Sequence, residues 1–510
     1  AANQNHSSAK YNLALIYFKG KYIKQDIYKA IQYFTSLEVE NCPEGHFTMA
    51  FLYYKGICVE RNINKVIHYL KLAANQNYPK AQHGLGEMYE KGKYVEKDIE
   101  KAIYYYTLAS KQNHLDSLIA LGLIYLEGNF VIRDINRAIY FFELAAKQNY
   151  DLGQYYLGQI YITDRYHKQD IEKAIYCFTL SSDQNNPDSQ YCLGCIYYDG
   201  YYAKQDISKA IHYFTVSADQ NNSESQYILA YIYSANEFVK PNINKAVHYL
   251  TLAADKGHPE AQCMLGYSYL FGIYTYIDKN KGVNYIIRSS ENKCITAHFI
   301  VGYFYHSGSY IKKDIKKSIE HYKEASSFNN QYAKNNLGII YKNGFGNEIS
   351  QNIWTAISYF DETIRRWEDK LSMYNLSHLY IYDYPSTEKI DESINLLIKL
   401  SNPEFYNANH LLCIAFIKKY GSNIQKIKYE LFEKLDQPLA KKLYEMIILK
   451  DLCKESSFNE YYMIHKGIDY LYDFMNSPMI SSNIHLKTHK RNHNQKNITS
   501  NFYQGFDLSI

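Results

Sequence analysis

The sequence predicts an all-α repeat array, and three observations carry that prediction. The hexad Asp-Ile-x-Lys-Ala-Ile and its variants start at Asp26, Asn62, Asp98, Asp134, Asp170, Asp206, Asn242, Asp278 and Asp314, each 36 residues after the last. A tenth copy starts at Asn352, two residues late, because a Gly-Asn-Glu-Ile-Ser stretch lengthens one loop. In phase with it, Leu85-Gly86-x-x-Tyr89-x-x-Gly92 recurs at Leu121, Leu193 and Leu337. Third, the apolar positions inside each copy follow the 3.6-residue period of a helix and not the two-residue period of a strand.

Each copy reads as two helices. The first runs from about Ala81 to Lys91, with Ala81, Leu85, Met88 and Tyr89 on one face. Gly92 ends it, since glycine accepts the left-handed conformation that closes a helix without a Cβ penalty. The Asp/Asn column Asp26, Asn62, Asp98, Asp134, Asp170, Asp206, Asn242, Asp278, Asp314 and Asn352 has N-cap chemistry for the second helix: a short side-chain oxygen accepts from an orphan backbone N–H. That second helix shows Ile99, Ala102, Ile103, Tyr106 and Ala109 on one face and closes at Gln112-Asn113. One copy has Gly257 in the Asn column, and Asn and Gly are the residues that tolerate a left-handed cap. Mid-helix glycines such as Gly86, Gly122 and Gly194 read as points of close packing, not as catalytic glycines.

A unit of this length with Ala-Gln-x-x-Leu-Gly-x-x-Tyr-x-x-Gly followed by Asp-x-x-Lys-Ala-Ile resembles the Sel-one-like repeat, a relative of the tetratricopeptide repeat, over about Ala9 to Thr363. The resemblance implies a right-handed superhelix of stacked helix pairs, with the first helices on the concave side. It also implies adaptor work, including in endoplasmic-reticulum quality control and signalling. Some bacterial relatives carry disulfides at repeating positions; the cysteines here fall in different columns, so none is expected.

The ends differ from the middle. Leu376/Tyr380 and Leu412/Phe416 continue the first-helix columns 36 residues apart, and Lys466–Leu471 mirrors Lys281–Ile286, so about thirteen helix pairs fit. Ala1-Ala2-Asn3-Gln4-Asn5 matches Ala73–Asn77, which places residues 1–8 at the end of a truncated repeat. The expected organisation is 1–8 as that remnant, 9–368 as ten well-formed repeats, 369–478 as degenerate repeats and cap, and 479–510 as a polar basic tail. More repeats or another domain are expected upstream.

Composition narrows the function. Of 510 residues, 57 are tyrosine and only 9 are cysteine. Setting aside Lys487, Lys490, Arg491 and Lys496 with Asp507 leaves 52 basic against 51 acidic residues, so the body has no field to steer nucleic acid. No run of 18 apolar residues occurs, so no membrane insertion is expected in the chain as seen. Nine irregularly spaced cysteines read as free thiols in a reducing compartment, hence a cytoplasmic location, with the endoplasmic reticulum as the alternative should a signal lie upstream.

No P-loop, HExxH, GxSxG or dinucleotide fingerprint is present, so no catalytic residue, cofactor or metal is assigned. His68, His212 and His248 read as surface histidines, and Cys192-x-x-Cys195 as helix interior. His485, His489 and His493 in the tail support weak adventitious metal binding at most. The lysine column that includes Lys65, Lys101 and Lys209 reads as a solvated ridge.

The functional lead is aromatic. Counting from the small residue that opens each first helix, offsets 2, 6 and 9 fall opposite the core face at 100° per residue. They hold Tyr155, Tyr191, Tyr227 and Phe299; Phe51, Tyr231, Tyr267 and Tyr303; and Tyr54 and Tyr198. On the concave side that the resemblance implies, they would form a peptide-binding groove for a partner protein. The competing explanation is a general Asn, Lys, Ile and Tyr bias. A non-enzymatic scaffold is the first reading. A regulatory repeat region of a larger enzyme, for example a kinase with its catalytic domain upstream, is the alternative; a degradation adaptor of the endoplasmic reticulum is a weaker one.

Overall fold

In the computed structural model, the described residues are 7–448, without 21–22, 38–41, 58, 164–168, 235–238, 346–347, 402–405 and 422. Residues 1–6, the Lys466–Leu471 match, the tail histidines and the boundary at 478 lie outside them. The described residues form 25 helices, no strand and one isolated bridge, Phe345 to Ile349. Each helix packs on the next in sequence within a unit, so the fold is an all-α solenoid.

The chain divides into two compact units at Gln220/Asn221. The first holds six helix pairs, from Ser7–Lys19 with Ile27–Ser36 to Pro187–Asp199 with Ile207–Asp219. The second begins with Ser223–Ser234 and Ile243–Asp255 and reaches Tyr406–Tyr420 with Ile424–Lys434, then a last helix, Gln437–Ile448. Twelve pairs and a final helix stand against the thirteen or so pairs expected.

Both ends of most second helices are fixed by sequence chemistry. Asp26 Oδ1 accepts from the Lys29 N–H at 3.0 Å, and the same bond recurs at Asn62, Asp98, Asp134, Asp170, Asp206, Asn242, Asp278, Asp314 and Asn352. The cap residue's own N–H turns back to the tyrosine carbonyl of its first helix, as Asp98 to Tyr89 at 3.0 Å and Asp206 to Tyr197 at 2.9 Å. One residue therefore starts the second helix and closes the loop from the first. At the far end Asn77, Asn113, Asn149, Asn185, Asn221 and Asn329 are left-handed, with Gly257 in the same role. The Tyr78 N–H reaches the Ala73 carbonyl and the Asn77 N–H that of Ala74, the paired bonds of a Schellman end.

Packing within a pair is a glycine facing a ring. A Cβ on Gly194 would sit 2.6 Å from the Phe214 ring, on Gly122 2.4 Å from Phe142, and on Gly86 2.6 Å from Tyr106. Where the facing residue shrinks to Leu70 or Leu250, the glycine is replaced by Ala50 or Ala230, although the first pair carries Ala14 in register with Phe34. Where it is Ile286, the helices close further until Gly266 and Gly282 meet backbone to backbone.

One expectation is corrected here. Offsets 2, 6 and 9 were expected to face outward, but Tyr155 and Tyr198 are 6% exposed, Phe299 4% and Tyr267 3%. The 100° argument assumes a helix with one buried side. A first helix in a stack is covered by its own second helix and by neighbouring first helices; Pro259–Phe271 touches Ile295–Ser307 directly. The first of these buries Ala261 through Ser268 without a break. Second helices bury one stripe only, as Ala210, Phe214, Ser217 and Ala218 do in Ile207–Asp219.

Candidate functional site

The tyrosines sort by what they touch. In most repeats the last tyrosine of the first-helix motif stacks on an aromatic of the second helix; opposite Tyr161 that position is Cys177. Tyr89 and Tyr105 lie 5.9 Å apart at 4°, Tyr197 and Tyr213 5.9 Å at 6°, and Tyr269 and Tyr285 6.1 Å at 6°. The lysine three residues after the cap then covers the outer ring: Lys101 over Tyr89 at 5.4 Å, Lys209 over Tyr197 at 5.0 Å, Lys65 over Tyr53 at 4.6 Å. Most of these lysines also pair with the capping aspartate, as Lys101 with Asp98 at 2.8 Å and Lys173 with Asp170 at 3.0 Å. That pairing holds the Asp98 carboxyl below its usual range and the Lys101 ammonium above its own. The lysine ridge is thus a row of cations seated on rings, most of them beside an acid, which leaves little unbalanced charge for a polyanion.

A second column escaped the sequence reading. Gln82, Gln154, Gln190 and Gln262 are buried and join repeats together. Gln82 Nε2 donates to the Ala74 carbonyl of the preceding repeat at 3.1 Å, and its Oε1 accepts from Gln112 Nε2 at 2.9 Å. Gln184 donates to Gln154 at 2.7 Å, Gln220 to Gln190 at 2.8 Å, and Asn292 to Gln262 at 2.9 Å. The signal was a glutamine repeated beside the small residue that opens the first helix, a polar residue on a face otherwise read as core.

The first-helix aromatics proposed from sequence pack mostly within the array. Tyr155 lies against Phe178 at 6.2 Å, Tyr191 and Tyr198 against Phe214 at 6.1 and 6.4 Å. Tyr227 stacks on His258 at 4.7 Å, and burial pushes its phenol well above the usual range. Tyr267 meets Phe271, Phe299 meets Tyr322 and Tyr332, and Tyr54 lies under Arg61 at 5.6 Å. Phe51, Tyr54, Tyr191, Tyr227, Tyr231 and Tyr303 remain half-buried and keep surface.

Exposed aromatics stand elsewhere, some on the second helices and others, such as Phe130, Tyr201 and Tyr276, in the loops between helices. Tyr104 is 58% exposed, Tyr140 56% and Tyr176 64%. They occupy one column, six residues after the cap in three consecutive repeats, and His68 and His212 continue it as exposed residues on either side. Tyr104 tips edge-on against Tyr105 at 5.2 Å, Tyr140 against Phe141 at 5.4 Å, and His212 against Tyr213 at 5.5 Å. Four of the five rings, His68 on Tyr69 at 5.4 Å included, therefore rest against the next ring of their helix, whereas Tyr176 is followed by Cys177. Five consecutive repeats of the first unit present an aromatic ring at the same position.

The buried reactive groups do not make a reactive site. Cys192 and Cys195 lie inside Pro187–Asp199, and burial pushes the Cys192 thiol well above its usual range, the reverse of nucleophile activation. The seven described cysteines are all buried. His83 and His114 both lie on the Ser117 hydroxyl, at 2.9 and 3.1 Å, and burial lowers His83 to about 3. Among the described residues no group of three His, Cys, Asp or Glu is placed to hold a metal, and no helix is long and apolar enough to cross a membrane.

Comparison with other proteins agrees with this architecture. Ten consecutive segments match the Sel1 repeat, at residues 7–36, 43–78, 79–114, 115–150, 151–186, 187–222, 223–258, 259–294, 295–327 and 331–363. Among solved structures, a protective antigen of uropathogenic Escherichia coli with an SLR fold is 25% identical at a TM-score of 0.52. The match covers 83% of this chain and 88% of that one. A Sel1 repeat protein from Oxalobacter formigenes is 23% identical at a TM-score of 0.45, over 63% of this chain and 91% of that one. No curated protein matches the chain. With matching units over more than half of its length, the chain belongs to the Sel1 repeat family of all-α solenoids, whose members generally serve as scaffolds for protein interactions.

Proposed function

We propose that this protein is a non-enzymatic scaffold that holds a segment of a partner protein against the aromatic face of its second helices. The observation that carries the reading is the column His68, Tyr104, Tyr140, Tyr176 and His212, exposed at one position in five consecutive repeats. Large rings, most of them resting against a neighbouring ring, lose little entropy on binding, and the tyrosine hydroxyl offers a hydrogen bond at the rim of the contact. The cations nearby are already paired with the caps, which favours a contact built on ring area over one built on charge.

The first-helix face is the second reading. What supports it is the surface kept by Tyr191, Tyr227, Tyr231 and Tyr303, although Tyr155, Tyr198, Tyr267 and Phe299 have little to offer a partner. Affinity capture from native extract with two triple variants separates the two. Tyr104, Tyr140 and Tyr176 changed together to Ser should lose the captured partners with melting unchanged. Tyr191, Tyr227 and Tyr231 changed together to Ser should lower melting. Loss of partners only in the second variant, at unchanged melting, would move the site to the first helices.

A further inference from the structure

In one repeat, two columns depart from the array together. The buried-glutamine position holds His298, and the stacking-tyrosine position of the same repeat holds His321. Elsewhere a histidine in the glutamine column keeps the ladder, as His46 does with Gln76 at 3.1 Å. His298 does not. Its rung partner thirty residues on is replaced by the exposed Phe328, and its Nδ1 lies 3.1 Å from the Nδ1 of His321 instead.

The geometry points to a two-imidazole chelate for a divalent transition-metal ion, with Zn2+ as the probe, built from His298 and His321. Metal–nitrogen bonds of about 2.0–2.1 Å with ligand atoms at this separation subtend roughly 100°, between square-planar and tetrahedral values. Both rings are half-buried and burial holds both below the usual histidine range, so they are neutral ligands near pH 7. Empty, the pair shares one hydrogen, with one Nδ1–H donating to the other Nδ1. On binding, that proton moves to Nε2 of the same ring, and both lone pairs face the ion without net proton release.

The surroundings favour a cation. Glu324 acts on both rings and Glu320 on His321, while Lys317, seated on Tyr305, opposes them. Tyr305 stacks on His321 at 5.8 Å and fixes its plane. No third protein ligand is placed among the described residues, so water fills the remaining positions.

The test is calorimetric titration of Zn2+ into the full chain carrying His485→Asn, His489→Asn and His493→Asn, so that the tail takes no part. One saturable site is expected, and both His298→Gln and His321→Tyr should abolish it. These substitutions return each position to the residue that the array uses elsewhere, so the melting profile should hold. Absence of a saturable site, or binding that survives either substitution, overturns the assignment. If a variant does not fold, carbethoxylation of the unsubstituted pair decides: Zn2+ should shield both rings from modification, and equal labelling with and without Zn2+ overturns the assignment.

Discussion

A single Cβ bears directly on the packing within a pair, and the first pair, with Ala14 and Phe34 in this register, accommodates one. Gly194→Ala places that carbon 2.6 Å from the Phe214 ring and should cost about 1–3 kcal/mol, the usual range for overpacking a core. Adding Phe214→Leu recreates the Ala50/Leu70 and Ala230/Leu250 pairings already in the chain, so the double variant should recover much of the loss. Denaturant unfolding of the four members of this cycle measures the coupling. His83 gives the matching test of burial. Its folded value near 3 lies below the unfolded value of about 6.5, so the unfolded chain takes up the proton first. Stability from the neutral ring is complete above about pH 6.5 and is lost as pH falls toward 3. His83→Tyr, the residue of the same column in Tyr155 and Tyr191, should flatten that slope. Between pH 7 and pH 5 the difference should be on the order of 1–2 kcal/mol, read by hydrogen exchange in Pro79–Lys91. An identical slope would show that His83 is not the titrating group.

At the scale of the element, the cap column ties loop to helix. Asp206 accepts from the Lys209 N–H and donates its own N–H to the Tyr197 carbonyl. Asp206→Ala should destabilise Ile207–Asp219 by about 1 kcal/mol, whereas Asp206→Asn should be close to neutral, as Asn62 and Asn242 already cap their helices. Helical content and local exchange rates separate the two outcomes. These elements were legible because their signals are local: a cap residue, a glycine at the end and a 3.6-residue stripe each act within one turn. The candidate site was not, because it depends on what a neighbouring repeat covers. Tyr155 and Tyr140 are both tyrosines off the main stripe of a helix, yet one is buried against Phe178 and the other lies in water. Only the stack separates them. The buried glutamines were missed for the same reason, since the partners of Gln190 are in the preceding repeat and at the end of its own.

Over the whole chain, stability is a sum of repeats and of the joints between them, so unfolding should not follow a single two-state transition. Gln190→Leu removes one rung of the ladder and leaves Gln220 without that acceptor. It should loosen the joint between Ile171–Asp183 and Pro187–Asp199 more than it loosens either helix. Hydrogen exchange that rises first at this joint supports the ladder, and a uniform rise contradicts it. The tyrosine excess has a physical division of labour: rings stacked under lysines hold the pairs together, rings such as Tyr155 fill the stack, and a smaller set faces water. The central claim is that this last set recruits the partner. The most direct measurement places a photoreactive phenylalanine analogue at position 140, and at the buried position 142 as control, and irradiates the protein in native extract. A discrete adduct from 140 and none from 142 is the predicted result. No adduct from 140, or from 104 and 176 treated the same way, would contradict it.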